Sequence, residues 1–246
     1  MSVDVLFLSP HPDDTELFCG GTVAHLTSAG CEVVIADLTR GELASNGTPE
    51  SRRAASLRAA SILGVAERPV LGLPDGALDP HDDTQVEAVV RLIRAQRPRW
   101  LIAPWTEDRH PDHVAAGSLA HRAHFLAGIA GFVAGVGAPF RSERLLFHPC
   151  HHEVEVSVLV DVSPHVAAWR AAVEAYEDQF DRDAGAVETP INRPGFLDAA
   201  LGRRARWGER IGVAHAEGFV SEAPWPVSFA HELGGGSTIE HPHETE

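Results

Sequence analysis

The chain predicts a single α/β domain in which a mostly parallel sheet carries helices on both faces. Three observations point there. The first half alternates short apolar runs with helix-length segments, which is the pattern of repeated strand–helix units. Those apolar runs are continuous rather than alternating, as strands covered on both faces require. Finally, 246 residues suffice for one large domain with a well-buried core, and no linker-like stretch divides them.

Residues 3–9 form the first apolar run, ended by a proline-containing turn. Residues 14–29 then read as a helix closed by Gly30. A second apolar run at 32–38 leads into a polar loop, 39–48. Residues 50–63 form an Ala- and Arg-rich helix ending at Gly64, and 69–73 a short strand stopped by Pro74-Asp75-Gly76. An amphipathic helix at 82–96 precedes the strand 99–104, and a further helix follows His113. Beyond about residue 140 strand-like segments (144–148, 154–162) come before helical ones (164–180, 195–210). The domain is expected to span 1–233, with the Gly-rich, polar stretch 234–246 a flexible tail.

Composition narrows the function. A net charge of −15 disfavours nucleic acid, whose phosphates would be repelled. All 20 basic residues are arginine, so a Schiff-base lysine and a P-loop lysine are excluded. No apolar run approaches the roughly 20 residues of a membrane helix, and the N-terminus lacks a basic leader. The expectation is a cytoplasmic protein without a membrane partner. Three widely spaced cysteines give neither a disulfide framework nor a CxxC metal pair, so a metal would have to use imidazole and carboxylate. Cys19 and Cys31 read as small core residues.

The chemistry concentrates at two strand ends. After the first run stands Pro10-His11-Pro12-Asp13-Asp14-Thr15-Glu16; after the 99–104 run stands Glu107-Asp108-Arg109-His110-Pro111-Asp112-His113. Each motif has the form His-Pro-Asp-(Asp/His) at the carboxyl end of a strand, the edge where open α/β sheets bind ligands. Proline after histidine suits a first helical turn, so His11 faces the same way as Asp14, and His110 the same way as His113. A catalytic divalent metal takes three protein ligands and keeps a position for water. His11, Asp14 and His113 supply that set. Zinc suits the donor mix best, with Fe²⁺ and Mn²⁺ open on ligand type. Asp13 is then placed to take a proton from water, and a charged His110 to steady an oxyanion or protonate the leaving amine. Asp112 would hold that imidazole oriented and charged.

One such motif alone is equally well read as an N-cap beside a turn proline. Two, each after an apolar strand, are not. Other histidines weigh less. His148, His151 and His152 cluster with Cys150, but adjacent His151 and His152 point apart in an extended chain and do not chelate together. His121 and His124 read as exposed helix residues, and His241 and His243 belong to the tail.

With these residues in hand, the chain resembles the LmbE-like, or PIG-L, zinc deacetylases of N-acetylglucosaminyl compounds, whose His-Pro-Asp-Asp-x-Glu and His-Pro-Asp-His motifs stand at 11–16 and 110–113. Residues 37–43, 45–48, 72–75, 107–113, 175–180, 189–190 and 216–219 resemble the bacillithiol-biosynthesis branch. The resemblance implies a Rossmann-like fold and one zinc per subunit on His11, Asp14 and His113. It implies Asp13 as general base, and His110 as electrophile or acid supported by Asp112. It also implies a homo-oligomer, often a hexamer. The implied substrate is N-acetylglucosaminyl malate, with Arg52, Asp75 and Arg109 as substrate contacts. Two arginines could grip the malate carboxylates bidentately, and Asp75 could accept from sugar hydroxyls. Phe196 stands where relatives often carry tyrosine. The alternatives left open are another N-acetyl sugar, a mycothiol-type conjugate, and a non-catalytic binding module. The last is disfavoured because His-Pro-Asp-Asp stands where a dinucleotide binder has GxGxxG.

Overall fold

Continuous apolar runs bury side chains on both sides of a sheet, and the first three strands do so. A computed structural model describes residues 2–133, 135–180 and 186–224. In chain order it contains β1 (Val5–Ser9), α1 (Asp14–Ser28), β2 (Val33–Asp37), α2 (Pro49–Leu63), α3 (Asp83–Gln96), β3 (Trp100–Pro104) and α4 (Pro111–Ala127). Then come β4 (Arg144–His148), β5 (Val158–Asp161), a 3-10 turn (Ser163–His165), α5 (Val166–Glu174), α6 (Glu177–Phe180), α7 (Phe196–Glu209) and β6 (Ala216–Phe219).

The main sheet has the order β2-β1-β3-β4 and is parallel throughout. Val5 and Phe7 of β1, with Val33 and Ile35 of β2, enter one apolar cluster with residues of α1, α2 and α5. Leu6 and Leu8, with Val34 and Ala36, enter the other with residues of α3 and α4. Period-two alternation thus feeds two cores, and each needs its own helical layer. β1 carries the chain to β2 on one side and is flanked by β3 on the other. The connection reverses between β1 and β3, which opens a crevice at their carboxyl ends. Both motifs emerge there.

The later chain departs from the sequence reading. Segment 69–73 runs beside β2, but the pairing there consists of single bridges, Val34 with Glu67 and Asp37 with Val70. Pro69 cannot donate to a ladder, and Gly72 at φ +67° turns the chain away. The 154–162 run yields a strand only at Val158–Asp161, paired antiparallel with β6. Ala216-Glu217-Gly218-Phe219 lacks an apolar pattern and predicts no strand, yet it forms β6. The 164–180 helix breaks at Ala175–Tyr176 into α5 and α6. The expected tail, 234–246, with His241 and His243, lies outside the described residues. Among the described residues no helix is long and apolar enough to cross a membrane.

α1 carries the first motif and is pinned from behind. Glu217 accepts from the backbone N–H groups of Gly21 and Thr22 (3.1 and 2.7 Å), and Arg204 bonds both Glu217 and the Leu17 carbonyl. Gly21 permits this approach, since a Cβ there would lie 2.8 Å from Val162.

Candidate metal centre and active site

β1 and β3 are adjacent, so their following turns bring residues 101 positions apart into contact. The His11 backbone N–H and ring Nδ1 both lie 3.0 Å from Asp14 Oδ2. Its Nε2 lies 3.1 Å from both Asp112 Oδ2 and Asp75 Oδ1. His113 Nε2 stands 3.3 Å from Asp14 Oδ1. His11, Asp14 and His113 are all buried, and their donor atoms lie within 4.8 Å of one another. Burial opposes charge on both imidazoles, but the carboxylates outweigh it. Asp112, Asp14 and Asp75 raise His11, and Asp14 above all raises His113. Two imidazoles and a carboxylate, converging among further carboxylates that draw positive charge, fit a divalent cation of the zinc class.

Asp13 occupies the N-cap position of α1 yet makes no capping hydrogen bond. Its backbone is turned to φ 116°, a conformation that costs on the order of 1–3 kcal/mol and clusters at functional sites. The carboxylate instead meets the Arg52 guanidinium at 3.0 Å. Burial pushes the Asp13 carboxyl up to about 7, with Arg52 pulling it down. Such a carboxyl is poised for proton transfer near neutrality.

Arg52 differs from its sequence assignment. It is 5% exposed rather than a surface arginine, pairs with Asp13, donates to the Pro12 carbonyl and lines the pocket, with its Nε left without a hydrogen-bond partner. Gly41, at φ +71°, makes room for it; a Cβ there would lie 2.4 Å from Arg52 Nη1. Arg109, by contrast, is exposed at the rim and has no hydrogen bond or ion pair among the described residues. Asp75 turns inward to His11 and accepts from the Leu43 N–H at 2.7 Å.

Asp112 also corrects the reading. Its carboxylate does not hold the His110 ring; it accepts from the backbone N–H groups of Gly76 (2.7 Å) and Leu78 (3.3 Å) and contacts His11. The bond joining Asp112 to His110 runs from the Asp112 backbone N–H to His110 Nδ1 at 3.3 Å, where His110 caps α4. Burial, then the charges on His11 and His113, lowers the His110 pKa. That shift favours the neutral ring, and its Nδ1 accepts from the Asp112 backbone N–H, which leaves Nε2 turned to the pocket as the donor position.

A carboxylate that sequence reasoning passed over lies behind His113. Asp108 accepts from the backbone N–H of His110 (2.9 Å) and of His151 (2.7 Å) and from His151 Nδ1 (2.8 Å), and faces His113 Nδ1 at 3.4 Å. Burial opposes its charge, yet the His113 and His151 bonds hold its carboxyl far below the usual range. The 148–152 cluster thus has a location. His148 and Cys150 are buried, with burial lowering His148 to about 3 and pushing the Cys150 thiol up to about 11, so Cys150 offers no thiolate near neutrality. His151 faces the site and His152 is exposed, pointing apart as expected. Phe196 stacks on Phe180 and is not among the residues that line the pocket.

The pocket over these groups encloses about 500 Å³. Leu43, Ala44, Ser45, Gln179, Thr189 and Ile191 complete its wall. The Asn46 side chain clasps the two loops that form it, exchanging bonds with the Val187 N–H and C=O (2.8 and 2.9 Å).

Comparison with known proteins bears on this arrangement. The family described as PIG-L, GlcNAc-PI de-N-acetylase, matches residues 6–124, which hold both motifs. Diacetylchitobiose deacetylase of Thermococcus kodakarensis is 31% identical over 229 residues, covering 87% of this chain and 81% of that relative. The chain belongs to the PIG-L, or LmbE-like, deacetylase family. Membership makes it a hydrolase of amide bonds. A probable N-acetyl-α-D-glucosaminyl L-malate deacetylase of Bacillus cereus is 30% identical over 135 residues, covering 50% of this chain and 61% of that relative. Among solved structures, a conserved protein from Thermus thermophilus superposes with a TM-score of 0.84 at 41% identity, covering 92% of this chain and 98% of that one. Both layers of the family fold are therefore present.

Proposed function

We propose that this protein removes the acetyl group from an N-acetylglucosaminyl compound, using one zinc ion held by His11, Asp14 and His113. The observation that carries the proposal is the convergence of these three buried donors beside Asp13, a carboxyl with a pKa raised to about 7. Zinc bound there supplies Lewis acidity to the amide carbonyl and acidifies a water molecule. Asp13, fixed by Arg52, takes the water's proton during attack. His110 presents its Nε2–H to the oxyanion, and Asp112 keeps His11 in place while anchoring the Gly76 turn. Collapse of the tetrahedral intermediate, with the amine protonated, releases acetate and the free amino sugar.

For the aglycone, N-acetylglucosaminyl malate remains the first reading, because Arg109 stands free at the rim to meet a carboxylate. Asp75 lines the sugar pocket. A specific observation favours diacetylchitobiose as the second reading: the relative that matches across 87% of the chain is named as a diacetylchitobiose deacetylase. The deciding experiment measures kcat/KM of the zinc-restored enzyme on both compounds and on free N-acetylglucosamine. A preference for the malate compound that Arg109→Ala abolishes supports the first reading. Equal turnover of all three, unchanged by Arg109→Ala, overturns it. Failure to release acetate from any of them overturns the sugar assignment.

A further inference from the structure

The family motifs account for His11, Asp14 and His113 but leave Asp108 and His151 without a role, although both lie against a metal ligand. The two imidazole rings of His113 and His151 stack, with centroids 5.2 Å apart and planes inclined by 21°. Their Nδ1 atoms converge on one oxygen, Asp108 Oδ1, at 3.4 and 2.8 Å. That carboxylate is almost wholly buried, and two backbone N–H groups fix it, one at the start of α4 and one in the loop after β4.

We propose that Asp108 and His151 form a cradle that positions the ligand His113 for the metal, acting through its ring rather than on substrate. An imidazole binds a cation through the nitrogen that carries no proton. A carboxylate at Nδ1 keeps the proton there and leaves the Nε2 lone pair to the side facing Asp14, 3.3 Å away. Stacked on the His113 ring, His151 stops it from rotating about its side-chain bond and holds Asp108 by its own Nδ1–H. His113 Nδ1 is buried and makes no full hydrogen bond; the carboxylate it faces, at 3.4 Å, is Asp108, with Cys150 beside the pair, so the tautomer turns on that carboxylate. Phe18 closes the assembly edge-on to both rings. The inference rests on the zinc site proposed above.

Its test is zinc affinity, read by competition with a chromophoric chelator, together with melting temperatures with and without zinc. Asp108→Asn keeps the shape but weakens the carboxylate's hold on Nδ1. Zinc affinity is expected to fall about 10- to 100-fold, as for loss of other partners behind a metal-bound histidine. The zinc-induced rise in melting temperature should shrink while the zinc-free melting temperature stays near that of the parent protein. His151→Gln should weaken zinc in the same direction by a smaller factor, and it decides the matter if Asp108→Asn does not fold. Nitrogen-15 histidine spectra of the zinc-loaded parent should place the His113 proton on Nδ1. A purely structural role would lower the zinc-free and zinc-loaded melting temperatures equally and leave affinity within about twofold of the parent, far from the expected loss; that result overturns the inference. A parent protein that takes up no zinc, or a His113→Ala variant that still does, overturns the metal site itself.

Discussion

Two clusters of buried charge sit within one turn of α1, and they are built on opposite principles. Toward the crevice, Asp13, Asp14, Asp75, Asp108 and Asp112 gather around His11 and His113, with Arg52 as their fixed cation. Behind it, Glu16 and Asp37 share one guanidinium, Arg68, which reaches Asp37 at 2.9 Å and pairs closely with Glu16. Tyr176 donates to Glu16 at 2.9 Å. Burial opposes the charge on Arg68, but Asp37 and Glu16 more than offset it and raise its pKa above the ordinary range. This second cluster is closed: its two carboxylates share one guanidinium, burial raises the Asp37 carboxyl, and the network ties α1 to β2 and to the link between α5 and α6. The first gathers five carboxylates around two imidazoles and one guanidinium at the floor of a pocket, the arrangement proposed above to hold a metal. A motif of six residues, 11–16, feeds both: its aspartates serve the site, and its glutamate serves the scaffold.

The comparison can be broken at several points. The largest effect is expected from Asp13→Asn, which should keep stoichiometric zinc and lower kcat by about 10²- to 10⁴-fold, the usual contribution of a general base. Full turnover of the metal-replete variant would remove Asp13 from that role. Arg68→Met tests the other cluster. It leaves two buried carboxylates without their cation and should cost about 3–5 kcal/mol of stability, measured by urea unfolding, with zinc present or absent. A loss below about 1 kcal/mol would mean that Glu16 and Asp37 do not depend on it.

A third measurement separates the clusters directly. Zinc at a hundredfold excess over its Kd should stabilise the parent by about 2.7 kcal/mol, a rise of roughly 5–10 °C in melting temperature. His113→Ala should lose that rise, whereas Arg68→Met should retain it from a lower baseline. The smallest effect belongs to Tyr176→Phe, which removes one hydrogen bond to a charged partner already held by Arg68. About 1.5 kcal/mol of destabilisation, with zinc affinity unchanged, is expected. An altered zinc affinity would show that the two clusters are coupled through α1.

Much of this was legible in the chain. Apolar runs at 3–9, 32–38 and 99–104 became three strands of the main sheet, because continuous apolar sequence can be satisfied only between two helical layers, and the strand-like segment 144–148 became the fourth, at the sheet's edge. The closeness of His11 and Asp14 was legible too, since histidine and aspartate three positions apart around a proline meet across one turn, here the turn just ahead of α1. Less legible were the segments whose pairing depends on distant chain. The sequence 216–219 becomes a strand because β5 lies beside it and Arg204 neutralises Glu217, and neither fact is local.

The assignments that changed share that cause. Spacing told which residues could face one another across a turn, and it correctly joined His11 to Asp14. It could not tell that Arg52, on α2, reaches back to Asp13, or that Asp112 turns to His11 and the Gly76 turn instead of to His110. Nor could it find Asp108 behind His113, flanked by His151 from a loop 43 residues away. By itself the sequence determined the fold class, the sheet's apolar strands and the pairing of His11 with Asp14, because local periodicity and turn chemistry encode them. The tertiary structure alone decided which buried charge answers which, because a carboxylate's partner is set by the side chains that packing brings within about 3 Å of it.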